Sequence, residues 1–413
     1  MVSVPSGPRP SLEQVLSGRL VEPAYQPIVD LDTLVPVGYE ALARVSGPEL
    51  WDPEALFAAA RACGRVDELD WLCREQAVQR ARQHGLRYPL SLFINAEPET
   101  LLAAAADASR WASFGDVRCY AELTERSLAG RPAALLRSLD QVREQDWGIA
   151  LDDVGADPES LALLPLLRPD VVKLDMRLLQ EPPAGPFDLR VARVLHRVLA
   201  EVGQTGSVVV AEGVETEAHL DLARAYGAHY AQGYLLGRPG PLPSPLSTPS
   251  SPVPLLPRVL DRRVPPGPFA VLAGGAGIRV TSRAAVYEVA RQLLAQAVVL
   301  EPAPVVLVSA GRPGLAPAWL ATMLQGLSTH SVVAAIGLPD AVDHLAAVRT
   351  GVLDDGDPAA DDFAVVVIGG GFAAALTARP TLSDPDGEAL DLVVTFEQGL
   401  VCAVGNAVLH RLG

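Results

Sequence analysis

The chain is poor in the residues that build zinc centres and disulfide scaffolds. Its four cysteines, Cys63, Cys73, Cys119 and Cys402, show no CxxC spacing, and its seven histidines form no HxH or HExxH cluster. Neither a zinc site nor a disulfide framework is supported, and buried free thiols in a reducing cytosol are the expectation. Positive charge is also scarce. A formal net charge of -16 argues against a broad electrostatic footprint for a DNA or RNA polymer. It does not bar a small phosphate ligand, because bound metal ions can reverse the local sign. No basic-then-apolar signal pattern occurs in Met1 to Pro10. The most membrane-like run, Phe363 to Ala378, is short of a spanning helix and carries Gly369, Gly370 and Gly371. It reads as a buried strand, a turn and a helix, so no membrane span and a cytoplasmic location are expected.

What is present is a long, apolar, finely alternating chain. With 413 residues, 49% of them hydrophobic, it can form two or three domains with large cores. After a proline-containing leader, residues 1–11, strand-like and helix-like segments alternate. Strand candidates are Val35 to Arg44, Leu90 to Asn95, Val117 to Leu123, Ile149 to Asp152, Val171 to Leu174 and Val208 to Ala211. Helix candidates between them are Pro53 to Cys63, Leu69 to His84, Ala133 to Glu144, Val191 to Val202 and Glu217 to Tyr226. Such alternation predicts a parallel sheet with helices outside, and closure into an eight-stranded barrel is the natural solution over residues 12–239. Residues 240–268 are too rich in proline for regular structure and read as a semi-extended linker. Residues 269–413 read as a smaller α/β domain. Its strand candidates are Val305 to Ser309, Ser331 to Ile336, Ala364 to Ile368, Leu392 to Phe396 and Leu400 to Val404. Its helix candidates are Ser282 to Leu294, Pro317 to Leu327 and Asp340 to Arg349. A regulatory or dimerising role suits it, since it carries no chemical constellation.

Gly148 to Gly155 is the centre of the chain. Ile149 to Leu151 run straight into Asp152 and Asp153, as in a strand buried on both faces with two acids at its C-terminal end. Alone, that pair could be solvated loop acids. The pattern recurs, however: Glu40 lies within the first strand candidate, Asn95 ends the second, Glu122 the third, Lys173 the fifth and Glu212 the sixth. In a parallel barrel these ends converge on one face. Oxygen ligands without cysteine or histidine select hard cations such as Mg²⁺ or Mn²⁺. So many carboxylates would repel one another unless about two divalent ions neutralised them. A two-metal site suits attack of water on a phosphodiester. Lys173 is either a structural partner of a carboxylate or a group that orients water and stabilises developing charge. Among so many acids it should stay protonated.

These residues bring the chain into resemblance with the EAL domains, phosphodiesterases of the bacterial second messenger cyclic di-GMP. The resemblance rests on Tyr25-Gln26-Pro27-Ile28, Glu40-Ala41-Leu42 with Arg44, Asn95, Glu122-Leu123-Thr124-Glu125, Asp152-Asp153, Lys173-Leu174-Asp175, Glu212-Gly213-Val214-Glu215 and Gln232-Gly233-Tyr234. It implies a (β/α)₈ barrel of the TIM type with one irregular strand. It implies metal ligation by Glu40, Asn95, Glu122, Asp152 and Asp153, with Glu212 close to the metal water and Lys173 as the catalytic lysine. Gln26, Leu42, Arg44 and Gln232 would touch the nucleotide or its phosphate, and Glu125 would brace the loop after Asp153. The product would be linear pGpG, and family members are commonly dimers. Other readings stay open at single positions: Arg44 as a barrel salt-bridge partner, Gln26 or Glu215 as a cap, Tyr234 as packing, Asp175 as a hydrogen-bond partner of Lys173 or a group near the metal.

The departure from the family lies after Asp153. The usual Asp-Asp-Phe-Gly-Thr-Gly-Tyr-Ser-Ser-Leu is here Asp152-Asp153-Val154-Gly155-Ala156-Asp157-Pro158-Glu159-Ser160-Leu161, and Pro158 stiffens the turn. The C-terminal domain looks, by architecture, like the DICT sensory module. The expectation is a metal-dependent cyclic di-GMP phosphodiesterase regulated by its second domain. The alternative is a receptor that binds cyclic di-GMP without turnover. No GGDEF-type synthase signature is present.

Overall fold

The computed structural model describes residues 9–45, 51–97, 100–101, 117–124, 132–155, 161, 164–181, 189–257, 267–274, 277–300, 304–329, 331–338, 348–354, 356–369, 371–384 and 388–412. The chain divides into two compact units. The first comprises residues 1–127, 137–156 and 169–258; the second comprises 128–136, 157–168 and 259–413.

The first unit is a closed barrel of eight strands in chain order: β1 (Val21–Asp30), β2 (Pro36–Val45), β3 (Ser91–Asn95), β4 (Arg118–Thr124), β5 (Gly148–Val154), β6 (Val171–Leu174), β7 (Val208–Ala211) and β8 (Tyr230–Ala231). β1 runs antiparallel to β2 and β8, and the other neighbours are parallel. The TIM-type barrel with one irregular strand is therefore observed. β1 contains Pro23 and Pro27, which argue against a strand. The amide of Tyr25 points away from β2 to the Gly240 carbonyl. The nitrogens of Pro23 and Pro27 share that direction, and β8 pairs only with Val29 and Asp30, so no ladder bond is lost.

The helices between Leu12 and Ala225 are α1 (Leu12–Ser17), α2 (Pro53–Ala62), α3 (Val66–Gln83), α4 (Pro132–Glu144), α5 (Leu164–Leu167), α6 (Arg177–Gln180), α7 (Arg190–Thr205) and α8 (Glu217–Ala225). Their ends follow local chemistry. Asp52 caps α2, with Pro53 in its first turn. Gly206, at φ 81, ends α7. Thr216 caps α8, a role the sequence allowed for Glu215.

Inside the barrel, Ile28, Phe93, Tyr120, Ala150, Val171, Val208, Val210 and Tyr230 form one apolar layer. The period of two along a strand then sets the next layer. Two residues beyond Phe93, Tyr120, Ala150, Val171 and Val210 stand Asn95, Glu122, Asp152, Lys173 and Glu212. Gln26 is opposite Glu40 across the β1–β2 pair. The polar constellation is thus the layer stacked on the apolar core.

The proline-rich stretch departs from the expected linker. Residues up to 258 belong to the barrel unit, and Val253 is fully buried in the inner apolar layer. The Val253 carbonyl accepts from Arg118 Nη1 at 2.8 Å and from the Tyr120 hydroxyl at 2.9 Å. Asp170 clamps the strap by accepting from Leu256 N at 2.6 Å and Ile149 N at 2.7 Å. These partners lie at the N-terminal ends of β4, β5 and β6. Its described residues 241–257 form no helix or strand, in keeping with their prolines, yet they close the end of the barrel remote from the acids.

The second unit holds a seven-stranded sheet: β9 (Arg279–Ser282), β10 (Val305–Ser309), β11 (Val332–Ile336), β12 (Arg349–Gly351), β13 (Phe363–Gly369), β14 (Phe372–Pro380) and β15 (Ala389–Thr395), in the spatial order β12-β11-β10-β13-β14-β15-β9. Its helices are α9 (Pro268–Ala273), α10 (Arg283–Val298), α11 (Leu320–Leu327) and α12 (Gln398–Leu409). Val306, Val308, Val365 and Val367 pack with α10 and α11, whereas Leu307 and Val366 approach Gly405 of α12. α5 belongs to this unit, and its Leu166 also lies against Gly405.

Three expectations here are corrected. Leu400 to Val404 is not a strand but the middle of α12: a short apolar run fits a buried helix equally well. Phe363 to Ala378 is a hairpin, with β14 where a helix was expected, because Gly371 adopts φ +79 and turns the chain back. Of the four free thiols, Cys63 is exposed and Cys73 only partly buried; Cys119 and Cys402 are buried. The expected helix Asp340 to Arg349 lies largely outside the described residues, and Arg349 opens β12. Among the described residues no helix is long and apolar enough to cross a membrane.

Candidate active site

Lys173 is the hub of the polar layer. It is fully buried on β6, and its Nζ lies 2.8 Å from Glu122, 2.8 Å from Glu212, 2.9 Å from Asp152 and 3.4 Å from Glu40. Four strands thus bring four carboxylates to one ammonium. Burial alone would lower the Lys173 pKa, but Asp152, Glu122, Glu212 and Glu40 together drive it well above its ordinary value. It stays charged.

One cation cannot satisfy four acids. Burial pushes Glu122 well above the usual carboxylate range, and Glu40 and Asp152 push it further. Burial and Asp152 do the same to Glu212. Glu40 goes the other way. Burial would raise it, but Lys173 and hydrogen bonds from Gln232 and Asn95 hold it below its ordinary value. Gln232 Nε2 donates to Glu40 at 2.7 Å and Asn95 Nδ2 at 3.0 Å. Glu122 Oε2 is buried without a hydrogen-bond donor, and Glu122 Oε1 and Asp152 Oδ1 share the one Lys173 ammonium, at 2.8 and 2.9 Å. Buried oxygens in that state demand a partner.

Asp152 and Asp153 reach one site through a β-bulge. Register along β5–β6 shifts between Leu151 and Val154, and Asp153 takes φ 58, a left-handed conformation that Asp tolerates better than most residues. Successive residues that would point to opposite faces are thereby re-aimed. Ligand oxygens of Asp152, Asp153 and Glu212 all lie within 4.8 Å of one another. An all-oxygen donor set with four acids to one ammonium fits a hard divalent cation.

The remaining expected residues fall into three groups. Gln26 accepts from Gln232 at 3.1 Å and donates to the Gly237 carbonyl at 3.1 Å, which connects it to Glu40 through Gln232. Leu42 and Arg44 follow Glu40 at the strand period and are half-buried, with Arg44 Nη1 on the Ala43 carbonyl. Asp175 accepts from the Arg177 amide and guanidinium at 2.7–2.9 Å, so its bonds go to Arg177 and not to Lys173. Glu215 is exposed. The Tyr234 ring carries the Arg238 guanidinium at 4.1 Å. Glu125 and most of the altered loop, residues 156–160, lie outside the described residues.

One neighbour went unnoticed in the sequence. Gln180 on α6 donates to the Gly213 carbonyl at 2.7 Å, directly after Glu212. No spacing rule marks a glutamine in a four-residue helix.

The chain is similar to several known proteins. The chain is 31% identical over 243 residues to the cyclic di-GMP phosphodiesterase RocR of Pseudomonas aeruginosa, covering 56% of this chain and 61% of RocR. It is 32% identical over 240 residues to the cyclic di-GMP phosphodiesterase NbdA of the same organism, covering 56% of this chain and 30% of NbdA. The chain thus spans less than two thirds of the length of either relative. A solved structure of the PaMucR phosphodiesterase in complex with c-di-GMP shares 27% identity at a TM-score of 0.47, covering 56% of this chain and 96% of that one. The family model described as the EAL domain matches residues 9–239. The chain belongs to the EAL domain family.

Proposed function

We propose that this protein hydrolyses cyclic di-GMP to linear pGpG, and that two divalent cations, Mg²⁺ or Mn²⁺, are held by Glu40, Asn95, Glu122, Asp152 and Asp153. When bound, such cations lower the pKa of water and offset charge on phosphoryl oxygens. The observation that carries the reading is the cluster of four carboxylates around one charged lysine at the C-terminal mouth of the barrel. The names of the relatives point the same way.

Each residue takes a role from its place. Lys173 supplies positive charge, because a lysine held protonated by four acids is a poor proton acceptor. Glu212 and Asp153 orient the attacking water. Gln26, Leu42, Arg44 and Gln232 line the way in and contact the nucleotide. Gln232 also holds Glu40 in its ionised form. Regulation by residues 269–413 is the natural part for the second unit. A homodimer and a sensory role of the DICT type complete the proposal.

The altered sequence after Asp153 favours one other reading, a cyclic di-GMP receptor with little turnover. Glu40→Ala separates the two. An enzyme loses turnover with its metal, and its cyclic di-GMP affinity weakens only as far as metal is lost. A receptor shows no turnover before or after the change.

A further inference from the structure

Glu212 stands just past the end of β7, and its carboxylate must meet Lys173 and the Asp152–Asp153 pair. The peptide units around it are tied one by one. The Glu212 amide donates to Leu174 O at 3.1 Å, the Gly213 carbonyl accepts from Gln180 Nε2 at 2.7 Å, and the Val214 amide donates to Gln232 O at 3.0 Å. Gly213 has φ +65, and a Cβ there would lie 2.4 Å from Met176 Cβ and 2.9 Å from Gln180 Nε2. The turn is pressed onto α6 so closely that only glycine fits.

The same short helix supports a second strand end. Gly155, at φ +102, closes the β5 turn that carries Asp152 and Asp153. A Cβ there would lie 2.9 Å from Leu178 of α6. α6 itself follows Lys173 and Leu174, and its first amide is held by Asp175. Leu178 and Leu179 are buried beneath it. α6 therefore touches the turns behind two carboxylate-bearing strands and begins where the lysine strand ends. Within this buttress Gln180 makes the polar bond to the Glu212 turn.

We propose that Gln180 is a positioning residue for the hydrolysis assigned above: by holding the Gly213 carbonyl it fixes the turn that sets Glu212 against Lys173 and the Asp152–Asp153 pair. The inference rests on the functional reading for its kinetics but not for its geometry. Without the amide donor, the half-buried carbonyl seeks another partner and the turn relaxes. Glu212 then samples positions in which it no longer meets the cluster.

The test is a double-mutant cycle in the full-length protein, with Gln180→Met, Glu212→Gln and both together. Turnover of cyclic di-GMP, Mn²⁺ affinity by calorimetry and Tm are all measured. Gln180→Met should lower kcat about tenfold with KM within about twofold, and should weaken Mn²⁺ binding several-fold. The double variant should be no worse than Glu212→Gln alone. Gln180→Lys, which keeps a donor of sufficient reach, should recover most of the loss. Additive effects, or a lower Tm with unchanged kcat and Mn²⁺ affinity, would overturn the inference and leave Gln180 a packing residue. If the wild-type protein shows no turnover, the functional reading fails instead. The cycle on Mn²⁺ affinity then decides alone: non-additivity upholds the role of Gln180 and additivity refutes it.

Discussion

A single lysine facing four carboxylates is a site built short of positive charge. Lys173 keeps the cluster foldable without metal, because removing a buried partner leaves charges uncompensated at a cost of about 3–5 kcal/mol. It also competes with metal for the same oxygens. Lys173→Met should therefore abolish turnover, lower Tm in metal-free buffer, and let Mn²⁺ raise Tm by more than it does in the wild type. Thermal melts with and without Mn²⁺ check this, and a smaller Mn²⁺ effect in the variant would contradict it. In the second unit Asp362 offers a cleaner titration. Burial pushes its carboxyl up to about 6, against the amide of Phe269, which donates to it at 3.0 Å, and against Arg379 and Arg411. A carboxyl raised in the folded state contributes stability that is full below its unfolded pKa and is lost as pH rises through the folded value. Asp362→Asn keeps an acceptor for Phe269 and removes that loss. Its stability relative to wild type should climb between about pH 4 and pH 7, by up to ~3 kcal/mol, and stay level above. Denaturant titrations at pH 4.5 and 8 give the comparison, and equal differences at both would refute it.

At the scale of elements, much was legible because barrel strands are buried on both faces and read as bare apolar runs. β6 and β7 match the expected strands residue for residue, and β3 and β4 within about one residue. β1 was missed as a strand because its prolines mask it, although Gln26 within it was singled out. β8 was missed because two residues carry no pattern. The acids at strand ends were legible as a set. What joins Asp152 to Asp153 was not: the bulge shows only in the register with β6. The proline-rich strap was misread because composition reports what a segment cannot form, not what it packs against. Val253 plugs the inner layer, and its carbonyl takes the hydroxyl of Tyr120. Val253→Ala should cost about 1–3 kcal/mol. A barrel ending at Pro239 should melt well below one ending at Pro257, since Asp170 and Tyr120 also lose their strap partners. Equal melting of the two would show that the strap is dispensable.

At the scale of the molecule, the division of labour follows from where chemistry-bearing residues collect. The barrel gathers acids, amides and a lysine on one rim, while the second unit is a sheet with an apolar core and few buried charges. α12 shows why the second unit was harder to read: its Leu400 to Val404 run is apolar all round, so neither strand nor helix period stands out. Residues 128–136 and 157–168 join that unit although they lie between barrel strands in sequence. No local pattern announces such long-range partition. The most direct measurement is hydrolysis of cyclic di-GMP by the purified full-length protein in Mg²⁺ or Mn²⁺, followed by chromatography of pGpG. Clear turnover that EDTA abolishes and added Mn²⁺ restores is the expected result. Tight binding of cyclic di-GMP with no pGpG at any metal concentration would contradict it.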